Sequence, residues 1–72
     1  MNNIEKLDVV ALLQNIPEEN LSRGDIGTVL EVLDQGVYLL EYCDKNGKTI
    51  KTLEIKEDSL MKINYLLESE LV

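Results

Sequence analysis

Hydrophobic residues recur along this chain in short runs separated by polar turns, a pattern typical of a small all-β domain. The first run, residues 7–16, ends at Pro17 and is interpreted as a strand because Val9 and Val10 are adjacent β-branched residues. A helix with a polar cap at its start is the alternative interpretation. Four further strands are predicted at residues 26–33, 37–43, 48–56 and 60–63.

Turn residues lie between these runs and fix where the chain reverses. Ser22-Arg23-Gly24-Asp25 is a turn signal, and Asn46-Gly47 is the strongest short hairpin signal in the chain. Gly27 stands inside the second predicted strand, where a glycine marks a bulge or a close approach. Val29 and Val32 are three residues apart, which also indicates a bulge in place of strict alternation. Leu21 is predicted to fold back over the barrel end.

Alternation in the third and fourth strands predicts which side chains face inward. In the third strand we expect one face to carry Tyr38, Leu40 and Tyr42, with the two tyrosine hydroxyl groups at the rim. The opposite face then carries Leu39, Glu41 and Cys43. In the fourth strand Leu53 and Ile55 share one face, whereas the other presents Ile50, Thr52 and Glu54.

Five short strands joined by turns predict a closed or nearly closed barrel over residues 1–63. Closure hides the strand edges through which small sheets aggregate. Residues 64–72 differ in character and are treated as a C-terminal extension, in which Asn64 is able to cap a short helix with Leu67 and Leu71 on one face.

Charge narrows the possible partners. The 72-residue chain has a formal net charge of -7, which disfavours nucleic acid and anionic membrane surfaces. An acidic domain attracts basic protein partners, although solubility alone is an alternative reason for the charge.

The residue types present argue against catalysis and cofactor binding. The chain has no histidine and one cysteine, Cys43, which excludes an internal disulfide and leaves no usual zinc ligand set. Cys43 is expected to be a half-buried structural residue. We therefore predict a non-enzymatic protein with no cofactor and no metal. The absence of a secretion-signal pattern or an apolar membrane span favours the cytoplasm.

The order of several segments resembles a known family of small uncharacterised bacterial SH3-like barrel proteins, often cyanobacterial. The matching segments, within residues 7–63, are Asp8–Leu12, Pro17, Gly24–Val29, Glu31-Val32, Tyr38–Tyr42, Asp44, Gly47 and Leu60. The Gly24–Val29 segment is also similar to segments in the nitrile hydratase beta subunit, a photosystem I accessory subunit and KOW-type ribosomal domains. The resemblance implies a five-stranded SH3-like barrel. Some relatives lie beside toxin-like genes, which implies an antitoxin or immunity role.

These observations lead to the hypothesis of a protein-binding module that masks a basic partner. Its acidic contacts would be Glu18, Glu19, Glu31, Asp34, Glu41 and Asp44. Apolar anchors would come from Leu39 and from the extension, through Tyr65, Leu67 and Leu71. Arg23 is interpreted as a surface residue paired with Asp25 or Glu19, or as a partner contact.

Three alternatives stay open at this level. The extension either folds back over the barrel or docks on a partner or a second copy, which would make a homodimer. An accessory subunit of a redox or metabolic complex is the second functional hypothesis. Nucleic-acid binding, by analogy with KOW domains, is the third and requires a basic face.

Overall fold

The computed structural model describes residues 4–43 and 50–63, and in these ranges the chain is all-β. The strands are β1 (Val9–Leu12), β2 (Ile26–Asp34), β3 (Val37–Cys43), β4 (Ile50–Lys56) and β5 (Leu60–Lys62). Two 3-10 turns, η1 (Pro17–Glu19) and η2 (Glu57–Ser59), precede β2 and β5. One antiparallel sheet has the order β4-β3-β2-β1-β5, which confirms the predicted fold class. The extension over residues 64–72 lies outside the described residues.

The two edge strands of this sheet are consecutive in the chain, and this forces the sheet to curl. β4 and β5 stand at opposite edges, yet only the three residues of η2 separate them. In a flat sheet of five strands the edges would be about 19 Å apart. Four residue steps span at most about 14 Å even when fully extended, and a 3-10 turn spans less. The sheet is therefore curved towards a barrel around its core.

The interior is formed by alternate residues of the strands. The predicted inward face of β3 is confirmed, because Tyr38, Leu40 and Tyr42 are all buried. Ile55 of β4 is buried and Leu53 packs against the same cluster. The remaining members of the cluster are Ile4, Val10, Leu12, Leu21, Val29 and Leu60. Ala11 is also buried, but it lies on the opposite side of β1 from Val10 and Leu12.

The first strand is confirmed as a strand but is shorter than predicted. β1 ends at Leu12, and the backbone N–H of Leu13 still donates to the carbonyl of Ser59 at 2.8 Å, one residue before β5 begins. Ile16 then pairs with Leu21 as an isolated bridge around η1. Leu21 is buried, as predicted, so this loop covers one end of the barrel.

Of the two roles predicted for Gly27, a bulge or a close approach, the structure shows the close approach, and Gly27 pairs regularly with Val10. The bulge that the spacing of Val29 and Val32 indicates is confirmed, because the register shifts between Val29 and Glu31. A Cβ atom at Gly27 would lie 2.6 Å from Cζ of Tyr42. The absence of a side chain therefore makes room for the tyrosine ring.

The turn before β2 forms as its sequence predicts. Ser22 donates its backbone N–H to the carboxylate of Asp25 at 2.9 Å, and Asp25 donates its N–H to the carbonyl of Ser22 at 3.0 Å. Gly24 has a φ of +94°, a conformation that is strained for residues with a side chain. Its N–H donates to the carbonyl of Leu12 at 2.8 Å, which ties the turn to the end of β1.

Candidate functional site

Three side chains of the outer face form a short row across the middle of the sheet. Leu39 of β3 pairs with Glu31 of β2 on one side and with Glu54 of β4 on the other. Directly opposite residues on neighbouring strands lie on one face, with Cβ atoms about 5 Å apart. The half-buried Leu39 is thus flanked by two exposed glutamates. We call Glu31, Leu39 and Glu54 the acidic row.

A mixed row lies two residues further along the strands. Glu41 of β3 pairs with Thr28 and Thr52, and Thr28 pairs in turn with Val9 of β1. Glu41 follows Leu39 by two positions, so it points to the same outer face. The carboxylates of Glu31, Glu41 and Glu54 therefore surround the apolar side chain of Leu39, and we call these four residues the acidic surface. Such a surface suits a partner that brings an apolar group together with lysine or arginine.

The charge of this surface is only partly neutralised within the chain. Lys6 Nζ lies 3.8 Å from a carboxylate oxygen of Glu31, and both side chains are more than half exposed. A solvent-exposed pair at that distance contributes less than about 1 kcal/mol. A basic partner is therefore able to displace Lys6 at little energetic cost.

A third row of the outer face is apolar. Ala11 of β1 pairs with Ile26 of β2 and Met61 of β5. Ile26 is 51% exposed and Met61 50% exposed, values high enough for both to contact a partner. Continuing the register of Thr28 and Glu41 by two residues places Ile26 opposite Cys43, which pairs with Ile50. We call this set (Met61, Ala11, Ile26, Cys43 and Ile50) the apolar row.

Glu18 and Glu19 are not part of this outer face. They belong to η1, and Glu19 Oε1 lies 3.8 Å from Nζ of Lys51, which also donates to the Glu19 carbonyl at 2.5 Å. Lys51 pairs with the buried Tyr42 and so lies on the inner side of the sheet. The two glutamates therefore border the barrel end, away from Glu31 and Glu41.

The predicted ion pair of Arg23 is wrong. Glu19 pairs with Lys51, and the carboxylate of Asp25 accepts the Ser22 N–H. Arg23 is exposed at the turn, and its backbone N–H donates to Asn15 Oδ1 at 2.8 Å. Among residues 4–43 and 50–63 its guanidinium forms no ion pair.

The remaining predicted contacts separate into two groups. Asp34 ends β2 as an exposed residue, and its carboxylate accepts the Gln35 N–H at 2.7 Å. Asp44 and the apolar anchors Tyr65, Leu67 and Leu71 lie outside the described residues. Within the described chain, the structure brings together Glu31, Leu39 and Glu41.

Among residues 4–43 and 50–63, Tyr42 has the largest change in pKa from its ordinary value. Its hydroxyl is buried without a hydrogen-bond partner, so the prediction that it reaches the rim is wrong. Burial, and then the charge of Asp25, raise the pKa of Tyr42 to about 12. Burial and the charge of Glu57 also raise the pKa of Tyr38. Neutral buried phenols with raised pKa values are structural groups at neutral pH.

Other chemistry is sparse in the described part of the chain. No group of three or more histidine, cysteine or acidic residues there is arranged to hold a metal ion. Cys43 is exposed, which corrects the expectation that it is half-buried. Its place at the end of β3, on the outer face, exposes it. Within the described ranges no helix is long and apolar enough to cross a membrane.

Three site residues were missed by reasoning from the sequence. Glu54 was correctly assigned to the outer side of its strand, but only the β3–β4 register places it beside Leu39. Ile26 and Met61 are far apart in sequence and become neighbours of Ala11 only through the order of the strands. The hairpin signal at Asn46-Gly47 predicts the pairing of β3 with β4. No local signal predicts that β1 pairs with both β2 and β5.

Comparison with known proteins gives one family. A family model described as "Domain of unknown function (DUF4926)" matches residues 6–62, a range that includes all five strands and every residue of the three rows. No curated protein and no solved structure matches the chain.

Proposed function

Since this chain belongs to the DUF4926 family, a domain of unknown function, we propose from its surface that it is a non-catalytic module that binds a basic protein. The observation that carries the proposal is Leu39, which lies between Glu31 and Glu54 with Glu41 two residues away on the same face. A partner presents lysine or arginine to the carboxylates and an apolar group to Leu39. Binding covers the basic surface of the partner and so masks it.

Electrostatics supports both the rate and the selectivity of such binding. The net charge of -7 attracts a basic protein over long range and raises the association rate at low salt. The partner then binds to one face of the sheet, because the carboxylates of the acidic and mixed rows are held in place by the strands. Nucleic acids and anionic lipids carry the wrong charge for this surface.

The resemblance to proteins encoded beside toxin-like genes makes a toxin-like protein the favoured partner, with this chain as an antitoxin or immunity protein. A cytoplasmic location is part of the same proposal, and a reducing compartment suits the exposed thiol of Cys43. The identity of the protein encoded next to this chain tests the class of partner directly.

The test compares partner capture by the tagged full-length chain and two charge-matched variants, in lysate of the native organism at low and high salt. One variant carries Glu31→Gln, Glu41→Gln and Glu54→Gln. The control carries Glu5→Gln, Glu18→Gln and Asp58→Asn, three exposed positions elsewhere that change the charge equally. We expect the first variant to lose the captured basic protein by about tenfold or more, because several charged contacts are removed together.

The outcomes separate the open hypotheses. Equal loss in both variants means that total charge, and not the acidic surface, governs association. Retention by both contradicts the proposal. An accessory subunit of a permanent complex would instead elute in a large assembly on gel filtration of the lysate, and high salt would not release it.

A further inference from the structure

The apolar row lies on the same outer face as the acidic surface, and its side chains are exposed to solvent. This exposure suggests that a partner covers the row. Ile26, Met61 and Ile50 are each half-exposed or more, and Cys43 is exposed beside them. Exposure of several large apolar side chains to water in one row is energetically unfavourable, and such patches are typical of binding sites. The apolar row runs parallel to the acidic row, with the mixed row between them.

The dimensions of this face fit one segment of a protein chain. Successive rows on a strand are two residues apart, so the apolar and acidic rows are separated by about 13 Å. A row that crosses five strands is about 19 Å long. An α-helix has a diameter of about 10 Å and needs about 13 residues to cover that length.

Charge decides what kind of segment can lie there. A second copy of this chain would bring another net charge of -7 against the acidic row. An anionic lipid surface would be repelled for the same reason. A cationic amphipathic segment complements both parts of this face. Its apolar side covers Ile26 and Met61 of the apolar row. Its basic side reaches the carboxylates of Glu31, Glu41 and Glu54.

We propose that the partner docks through a basic amphipathic segment, which lies across the strands with its apolar side chains on the apolar row and its lysine or arginine residues on the acidic row. This inference rests on the proposed function and names the part of the partner that is recognised. Displacement of Lys6 from Glu31 accompanies docking.

The experiment uses three synthetic peptides of about 13 residues and the full-length chain, with affinity measured by calorimetry. The first peptide has leucine at helical i, i+3, i+4 and i+7 spacing with lysine at the other positions. The second replaces leucine by serine, and the third replaces lysine by glutamate. We expect binding of the first peptide alone, and its affinity should fall with added salt.

Matched variants locate the contact. Ile26→Thr with Met61→Thr removes the exposed apolar groups from the row, and we expect about tenfold weaker binding of the first peptide. The control, Val32→Thr with Leu33→Thr, makes the same kind of change at exposed apolar positions of β2 beyond the acidic row. The control should bind as the wild type does. All four positions are exposed, so thermal melts should show folded variants.

Two chemical readouts on the wild-type chain check the location independently. The peptide should slow alkylation of Cys43 and peroxide oxidation of Met61, both of which are exposed in the free chain. Protection of Met61 before any peptide is added would mean that this chain covers its own apolar row, and it would overturn the inference.

The remaining outcomes distinguish the inference from the proposed function. Equal binding by the wild type and the Ile26/Met61 variant, together with loss in the Glu31/Glu41/Glu54 variant, overturns only the inference. Equal peptide binding by all variants contradicts both proposals. Equal binding of the leucine and serine peptides at every salt concentration overturns only the inference, because both peptides carry the same lysine residues. Concentration-dependent dimerisation that Ile26→Thr and Met61→Thr abolish would identify a second copy as the occupant.

Discussion

At the scale of single residues, the ring of Tyr42 packs so closely against Gly27 that no side chain fits at position 27 without a shift of the ring. The phenol ring occupies the volume that a side chain at Gly27 would need, and its hydroxyl is buried without a partner. The ring contributes apolar burial, whereas the unpaired hydroxyl offsets part of that stabilisation. These two features are separable by substitution, and each leads to a distinct prediction.

Gly27→Ala should lower the free energy of unfolding by about 1–3 kcal/mol, the range for overpacking in a tight core. The new Cβ would lie 2.6 Å from Cζ of Tyr42, so the ring must move within packed surroundings. Urea denaturation of Gly27→Ala, Tyr42→Leu and the double variant measures the coupling. The penalty of Gly27→Ala should shrink in the Tyr42→Leu background, and an unchanged penalty would place the clash elsewhere.

Tyr42→Phe should make the domain more resistant to alkaline unfolding. The folded pKa of Tyr42, about 12, lies above the ordinary value of 10, so folding favours the neutral phenol. The stability that depends on this group is complete below pH 10 and is lost as pH rises from 10 towards 12, at up to about 1.4 kcal/mol per pH unit.

Denaturant unfolding of wild type and Tyr42→Phe between pH 8 and 12 checks this dependence. The raised pKa of Tyr38 affects both proteins alike and cancels in the difference. At pH 8 the variant should be at least as stable as the wild type, because it lacks the unpaired hydroxyl. Parallel curves up to pH 12 would show that the hydroxyl is hydrated in solution.

At the scale of elements, Lys51 attaches η1 to the sheet. Lys51 of β4 donates to the backbone carbonyl of Glu19 and also lies 3.8 Å from its carboxylate. The two contacts differ in kind, since one involves the backbone of η1 and the other an exposed side chain. The backbone contact should hold the loop between β1 and β2 against the barrel end.

Lys51→Ala should therefore cost more than Glu19→Gln. The first variant loses a charged hydrogen bond to the backbone, for which we expect about 1 kcal/mol because the site is partly exposed. The second removes only a surface ion pair and should cost less than about 0.5 kcal/mol. Thermal or urea unfolding of the two variants checks the order. A larger cost for Glu19→Gln would show that the carboxylate, and not the carbonyl, is the contact that matters.

The length and regularity of the elements depend on more than the local pattern. Period-two alternation correctly predicted the inward face of β3, because its ladder with β4 is regular and the extra residues in its ladder with β2 all belong to β2. The end of β1 was predicted too late, since apolar residues continue to Ile16 while the ladder stops at Leu12. Hydrophobicity alone does not specify strand pairing: Ile16 packs against the core from a loop, and Leu13 is 40% exposed.

At the scale of the whole molecule, the acidic surface should reduce the stability of the free domain. Glu31, Glu41 and Glu54 converge on one face of a chain that already has a net charge of -7. Like charges on neighbouring strands repel, and the strands prevent them from separating. A surface that opposes folding is consistent with a role in binding.

The variant with Glu31→Gln, Glu41→Gln and Glu54→Gln should therefore be more stable than the wild type at low ionic strength, by about 0.5–1 kcal/mol. The loss of the exposed Lys6–Glu31 pair offsets little of this gain. Melting temperatures at low and high salt measure the effect, and the difference should narrow as salt screens the repulsion. A lower melting temperature at low salt would mean that the carboxylates stabilise the fold.

The sequence by itself determined the strands, the inward face of β3 and the acidic character of the protein. These properties follow from local alternation, turn chemistry and composition, each of which acts over a few residues. Only the tertiary structure placed Glu54 beside Leu39, joined Ile26 to Met61 through Ala11, and moved Glu19 away from Glu31. Strand order and register decide which residues become neighbours, and pairing between distant strands depends on how the whole sheet closes.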